Sequence, residues 1–269
     1  MRTLDFLSAV HELLAPPTYL EIGVRHGNSL TLSRSPSIAI DPRMKPSKPI
    51  PEGAVLFDET SDAYFERERP LDPWGGSPVS FAYIDGMHLS EYALRDFINV
   101  ERHAHWTSVV VFDDVLPRNV GETVRDPLER KGAWTGDVYK IVDILTRLRP
   151  DLITLPVATS PTGLLLVAAL DPTNSTLRDH YENIVEDAVA PDPQPVPPHV
   201  LERRDALDPK TVLSGSLWPI LRQARNGEMS RRKALRRLRT RVRKEFGRGD
   251  VPVQRRVLRA LRSRAVRAG

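Results

Sequence analysis

The chain has no cysteine at all. That excludes disulfides, a thiolate zinc site and a cysteine nucleophile, and leaves oxygen or imidazole to hold any metal. It also lacks any apolar run near the roughly 18 residues needed to cross a bilayer. The longest, Gly163 to Leu170, is strand-sized. The opening MRTLDFLSAVHELLAPP places acids among its apolar positions and has neither the hydrophobic region nor the small-residue cleavage site of a signal peptide, so the expectation is a cytoplasmic protein with no transmembrane segment. Internal repeats and the dinucleotide fingerprint G-x-G-x-x-G are missing too. What remains is 269 residues, 40% of them hydrophobic, which is enough for one large domain or a medium one with an appendage.

The net charge of +4 conceals a division. Residues 222–269 carry 18 Lys and Arg against three acids, a balance of +15, and the rest of the chain carries 21 against 32, a balance of −11. An acidic body with a basic extension is expected, and each part needs its own explanation.

Over the first 170 residues, strand-like runs alternate with helix-like segments, which predicts an α/β fold with a mostly parallel sheet covered on both faces. The strands are read as Thr18 to Ile22, Ser37 to Ile40, Ala54 to Phe57, Val79 to Ile84, Ser108 to Phe112, Leu152 to Pro156 and Gly163 to Ala168. Helical spacing marks Thr3 to Leu14, with Leu4, Phe6, Leu7, Val10, Leu13 and Leu14 on one face, then Tyr92 to Arg102 and Val138 to Leu148. Only Thr159 to Thr162 separates the last two strands. So short a link excludes a parallel crossover and predicts a final antiparallel hairpin. Leu177 to Val189 reads as one helix, after which PDPQPVPPH packs five of the 24 prolines into nine residues and reads as a linker. Ser216 to Arg225 and Ser230 to Phe246 read as helices, the latter with Ser230 as cap and Gly247 as stop, and a further basic segment runs from Val253 to Val266. The expected division is a catalytic domain over 1–172, a helix and Pro-rich linker over 173–221, and a basic helical tail over 222–269.

Two groups of residues carry chemistry. In TYLEIGVRHGNSL a strand opens into a turn where Gly23 and Gly27 let backbone approach a ligand, and a helix is expected to follow with its N-terminus toward a negatively charged group. The same spacing also occurs as a plain tight turn. Asp41 ends the second strand, 18 residues after Gly23, where a carboxylate can accept both hydroxyls of an adenosine ribose. Farther on, Asp85 in Ile84-Asp85-Gly86-Met87-His88 and Asp113 and Asp114 in Phe112-Asp113-Asp114-Val115 end neighbouring strands. Three carboxylates crowded at one sheet edge repel unless a cation or proton intervenes, which points to a hard-cation site suited to Mg²⁺.

Glu21, the Gly turn and Asp41, together with the final hairpin, resemble the Rossmann-like class I methyltransferases that use S-adenosylmethionine (SAM). The form E-I-G-V-x-x-G-x-S, with I-D-G-x-H and D-D-V, is similar to the metal-dependent O-methyltransferases of cephalosporin and macrolide-sugar pathways, although the middle Gly of the commoner first motif is replaced by Arg25. The resemblance spans roughly residues 15 to 170. It implies a seven-stranded sheet and SAM binding through Glu21, Gly23, Gly27, Ser29, Asp41, Thr60, Ser61 and Asp85, with Thr60 and Ser61 near the adenine or simply capping a helix. It further implies Mg²⁺ on Asp85, Asp113 and Asp114, His88 as the base, and a small-molecule or glycan acceptor offering a hydroxyl.

The other histidines show no metal-ligand spacing; His26 lies in the Gly turn, and His103 and His105 precede the fifth strand. Arg118 to Gly136 reads as a lid whose Trp134 either stacks on an acceptor or packs internally. Asp137 reads as the N-cap or the N1 acid of the next helix. Ser230 to Phe246 is an amphipathic cationic helix that docks on the acidic body or a second copy, lies on an anionic membrane, or binds a polyanion. Rival readings are a nucleic-acid methyltransferase, which lacks an N-P-P-Y-type motif where IDGMH stands, and a noncatalytic interaction protein that keeps the fold.

Overall fold

A computed structural model of the chain describes residues 1–247. The expected basic segment Val253 to Val266 lies outside the described residues. Seven strands form one sheet: β1 (Tyr19–Ile22), β2 (Ser37–Ile40), β3 (Ala54–Phe57), β4 (Val79–Ile84), β5 (Ala104–Phe112), β6 (Ile153–Val157) and β7 (Leu164–Ala168), in the order β3-β2-β1-β4-β5-β7-β6. All neighbours are parallel except β7, which runs antiparallel to both β5 and β6. This is the Rossmann-like sheet with a reversed final hairpin that the sequence predicts. Because β1 and β4 pair with Ile22 opposite Ile84, and β4 and β5 with Ile84 opposite Phe112, the segments after these strands emerge side by side at one edge.

Ten helices cover the described chain: α1 (Thr3–Leu14), α2 (Ser61–Phe65), α3 (Ser90–Arg102), α4 (Lys140–Leu148), α5 (Thr176–Asp179), α6 (Tyr181–Ala188), α7 (Pro198–Leu201), α8 (Pro209–Leu213), α9 (Leu217–Arg225) and α10 (Arg231–Phe246). In α1 the side chains of Phe6, Leu7, Val10 and Leu14 are buried, while Leu4 faces outward. On one face of the sheet α3 and α4 bring Ala93, Leu94, Phe97, Ile141 and Leu145 onto Ile22, Ile84 and Phe112.

The opposite face departs from expectation. No α-helix follows the Gly turn; Leu30–Leu32 forms a single 3₁₀ turn. Only nine residues separate Gly27 from β2, too few for several helical turns at 1.5 Å per residue and a return to the sheet. Ser33 and Ser37 hydroxyls bond each other at 2.9 Å and fold that link tightly. The cover that such a helix would give comes instead from α1 and the C-terminal helices. Trp218, Leu221, Ala234, Leu238, Val242 and Phe246 join the same buried cluster as Phe81 and Val109. Ser230 does cap α10, accepting from the Lys233 amide, and Gly247 ends it in the left-handed region. The charge boundary at residue 222 falls inside α9, so α10 docks on the body through its apolar stripe while its Arg and Lys side chains face outward.

The predicted helix Leu177 to Val189 is broken at His180 into α5 and α6. Tyr181 donates its hydroxyl to the Glu91 carbonyl of α3 at 3.0 Å, which ties the second half to a different support.

Candidate active site

The loop after β4 is clasped from both sides by glycines. A Cβ on Gly23 (φ +90°) would stand 1.9 Å from the Asp85 carbonyl oxygen, and one on Gly136 (φ +52°) would stand 1.6 Å from that of His88. Both positions therefore demand glycine on two counts, conformation and space. The consequence is that the Gly turn after β1 touches the backbone that carries the acid cluster.

Within this clasp His88 lies between two carboxylates. Its Nε2 is 3.5 Å from Asp85 Oδ1 and its Nδ1 is 3.0 Å from Asp114 Oδ2. One ligand atom from each of Asp85, His88 and Asp114 falls within 4.8 Å of the others, a set able to surround a cation. Asp114 adopts φ +63°, an unfavourable conformation for a non-glycine residue that the surrounding fold maintains at the site. Burial alone would lower the imidazole's pKa, but the hydrogen bonds and charges of Asp114 and Asp85 outweigh it and raise His88 to about 11. His88 is thus an imidazolium at neutral pH. Its Nδ1 also donates to the Trp134 carbonyl at 2.6 Å. A carbonyl can only accept, so Nδ1 is the nitrogen that keeps its proton in either charge state.

Asp113 is placed differently from its two partners. Its carboxylate accepts from the Tyr83 hydroxyl and, at 2.8 Å, from the Asp114 amide, so its nearest donors are protein groups. Burial first, then the negative charges of Asp85 and Asp114, pushes its pKa well above the usual carboxylate range. Burial also raises Asp85, against the pull of His88. Three carboxyl groups beside one imidazolium crowd negative charge that is relieved either by a proton, as the raised Asp113 favours, or by an oxygen-seeking dication.

The acids on β1 and β2 meet other surroundings. Glu21 is fully buried and accepts from the Ser29 hydroxyl at 2.6 Å and the Tyr19 hydroxyl at 2.7 Å. Burial lifts its pKa to about 7 against those two hydrogen bonds. Both of its oxygens and the Ser29 hydroxyl are therefore committed inside the protein. Asp41 accepts from the Arg25 amide at 2.8 Å and the Arg43 amide at 2.6 Å, fixing the Gly turn against the end of β2. Gly27 has φ +73°, and a Cβ there would make only ordinary contact, 3.9 Å, with the Pro46 side chain.

Thr60 caps α2, accepting from the Ala63 amide at 3.2 Å, and Ser61 donates to Asp96 at 2.5 Å. Asp96 itself is buried, and desolvation raises its pKa to about 7. His26 is exposed beside the Lys45 carbonyl, His103 ends α3 and stacks on Phe65, and His105 bonds Thr107, so none joins the cluster. Asp137 does not cap the helix that follows it. It accepts instead from the Ser90 amide at the start of α3, and also from Arg125 and Lys140.

The lid is closed over this site. Trp134 stacks on His88 with ring centroids 4.9 Å apart and planes 10° apart, and its indole N–H donates to the Val124 carbonyl. Arg125 ties the lid to Glu91 and Asp137. The crevice bounded by Asp85, His88, Asp113, Asp114 and Val138 measures about 10 Å³. Sequence reasoning missed Tyr83 and Tyr19, although each precedes a motif acid by two residues and therefore shares its face of the strand.

No family model and no curated protein matches the sequence. Among solved structures, the chain is similar to the O-methyltransferase TomG from Streptomyces achromogenes, involved in tomaymycin synthesis and solved with SAM, at 17% identity over 62% of this chain and 79% of that one, TM-score 0.44. It is similar to the Podospora anserina methyltransferase PaMTH1 bound to S-adenosylhomocysteine (SAH), at 11% identity over 62% and 78%, TM-score 0.46. It also overlaps MycE of the mycinamycin pathway, solved with Mg, SAH and mycinamycin VI, at 16% identity over 64% and 50%, TM-score 0.42.

Proposed function

We propose that the chain is a SAM-dependent, Mg²⁺-dependent O-methyltransferase acting on a hydroxyl of a sugar, glycan or glycosylated natural product. The observation that carries this reading is the direct contact between the Gly23 turn and the Asp85 backbone, which sets a cofactor turn against Asp85 and Asp114 around one imidazolium, with Asp113 crowded beside them. Residues 1–172 supply this site, and the helices over 209–246 complete the sheet face behind it.

When bound, SAM supplies an electrophilic methyl carbon, and Mg²⁺ on Asp85, Asp113 and Asp114 would acidify an acceptor hydroxyl. Gly23 and Gly27 provide the close backbone approach, and Asp41 offers carboxylate oxygens to the ribose hydroxyls while it braces the turn. Glu21 acts from behind, holding Ser29 at the turn. His88 is the base, but it must first lose the proton that Asp85 and Asp114 hold on it. With Asp85 and Asp114 engaged by a cation that proton would be held less tightly; Nδ1 is kept by the Trp134 carbonyl, so Nε2 would be the nitrogen that takes the hydroxyl proton. Trp134 and the lid exclude water from the pair.

The test is transfer of a labelled methyl group from SAM to a panel of glycosides. Incorporation should stop in chelator and return with Mg²⁺, and His88→Ala should slow it by about 10² to 10⁴ while sparing cofactor binding. Full activity in chelator together with an active His88→Ala enzyme would remove both metal and base.

A further inference from the structure

Beside His88, five residues close into a hydrogen-bonded circuit that takes no direct part in the proposed chemistry. Arg125 of the lid donates through Nη1 to Asp137 Oδ2 at 2.6 Å, and Lys140 donates to the same oxygen at 2.8 Å. Lys140 also donates to Gln194 Oε1 at 2.7 Å, and the Gln194 amide nitrogen donates to Asp192 Oδ1 at 2.8 Å. Asp192 Oδ2 accepts from the Arg125 backbone amide at 2.9 Å, so the circuit returns to the residue it started from. Asp192 and Gln194 belong to the Pro-rich stretch that reads in sequence as a linker.

Asp137 is fully buried and Gln194 is 3% exposed. The Asp137 carboxylate takes two cations on Oδ2 and the Ser90 amide on Oδ1 at 2.7 Å. A group with acceptors on both sides satisfies all three donors, whereas a side-chain amide would turn a donor toward one of them. Removing one member of such a set leaves desolvated charge behind.

The same stretch of chain grips His88. The Asp137 N–H donates to the His88 carbonyl at 3.2 Å, and Gly136 lies against that carbonyl. Trp134 stacks on the imidazole and accepts its Nδ1 proton. Residues 134–137 therefore hold both the backbone and the ring of His88, and Asp137 fixes their far end by charge to the lid and α4 and by hydrogen bond to the start of α3. A displacement of about 1 Å at a reacting group can cost on the order of 10²-fold in rate, even when its cause is distant.

We infer that Asp137 is a positioning residue for His88, and that the Pro-rich segment, through Asp192 and Gln194, belongs to the same positioning unit. This rests on the role given to His88 in the proposed methyl transfer. Asp137 acts through Trp134, Gly136 and the start of α3, and the support of the site extends past residue 172 to Gln194.

Two readouts test it on the full chain: solvent exchange of the His88 Nδ1 proton, followed by NMR with isotope-labelled histidine, and steady-state methyl transfer. Asp137→Asn should speed that exchange at least about tenfold and lower kcat by about tenfold to a hundredfold at unchanged KM for SAM. Gln194→Leu, a change outside the lid and α4, should move both readouts in the same direction by at least about twofold. Unchanged exchange and kcat in a folded Asp137→Asn protein overturn the inference, even if its melting temperature falls, because the circuit is then only a brace. Should Asp137→Asn fail to fold, Gln194→Leu decides, and unchanged readouts there refute the inference. Absence of methyl transfer in the unmodified chain would refute the methyltransferase reading, while proton exchange in the variants still decides whether Asp137 holds His88.

Discussion

The carboxylates on the β1–β2 side of the sheet edge and those on the β4–β5 side differ in what they find around them. Glu21 and Asp41 are met by neutral donors, two hydroxyls and two backbone amides, so each is satisfied where it stands. Asp85 and Asp114 flank a single imidazolium as counter-charge, and Asp113, though it accepts from the Tyr83 hydroxyl and the Asp114 amide, is crowded by both of them. In the sequence all five are acids at or near strand ends, and only the fold separates the two kinds. A satisfied acid shapes the backbone; an uncompensated group is a place for a cation or a proton.

The sharpest way to break this contrast is to force the two sides apart. Gly23→Ala puts a Cβ into the Asp85 carbonyl and a side chain at φ +90°, and it should cost more than about 4 kcal/mol, the range of severe backbone and overpacking lesions. Denaturant unfolding checks the magnitude, and a near-neutral result would mean that the two segments are not in contact.

A smaller change tests the charge balance on the β4–β5 side. Asp114→Asn removes the partner 3.0 Å from His88, so the imidazole pKa should fall from about 11 toward its ordinary 6.5. A raised histidine pKa stabilises the fold fully below 6.5, and that contribution is lost as pH rises through about 11. The variant should therefore lose stability at neutral pH while its alkaline sensitivity shrinks. Histidine NMR follows the site directly: the His88 ring should titrate at lower pH in Asp114→Asn than in the unmodified chain, with Asp85 retaining part of the rise, and the unmodified ring should shift the same way on addition of Mg²⁺.

The smallest expected effect is on the satisfied side. Glu21 is raised to about 7 by burial, so its protonation stabilises the fold below its ordinary 4.5, and that contribution is lost as pH rises through about 7. Glu21→Gln keeps both hydroxyl contacts within reach and should flatten the pH dependence of the melting temperature across that window. An unchanged profile would mean that Glu21 is not the group titrating there.

Much of the fold is legible because the strands are continuous, largely apolar runs, buried in the middle of the sheet and exposed at Val55 and Leu56 on its edge. Ser37–Ile40, Ala54–Phe57 and Val79–Ile84 have the bounds read from the sequence, as does α1. The missing helix after Gly27 was not legible, since a turn signal does not report how far the chain must travel to reach β2. Nor was the docking of α10. Its charges dominate its composition, but Ala234, Leu238, Val242 and Phe246 recur at helical spacing and are buried, which is what decides where it packs. At the site, the motif residues Asp85, His88 and Asp114 are found together, yet the imidazole's place between the carboxylates depends on the left-handed turn at Asp114 and on the Trp134 carbonyl, contacts set by tertiary structure.

Titration of S-adenosylhomocysteine into the purified chain by calorimetry tests the central claim most directly. The account predicts one site per chain, weakened at least about tenfold by Asp41→Ala. Absence of binding, or equal affinity in the unmodified and Asp41→Ala proteins, would contradict it.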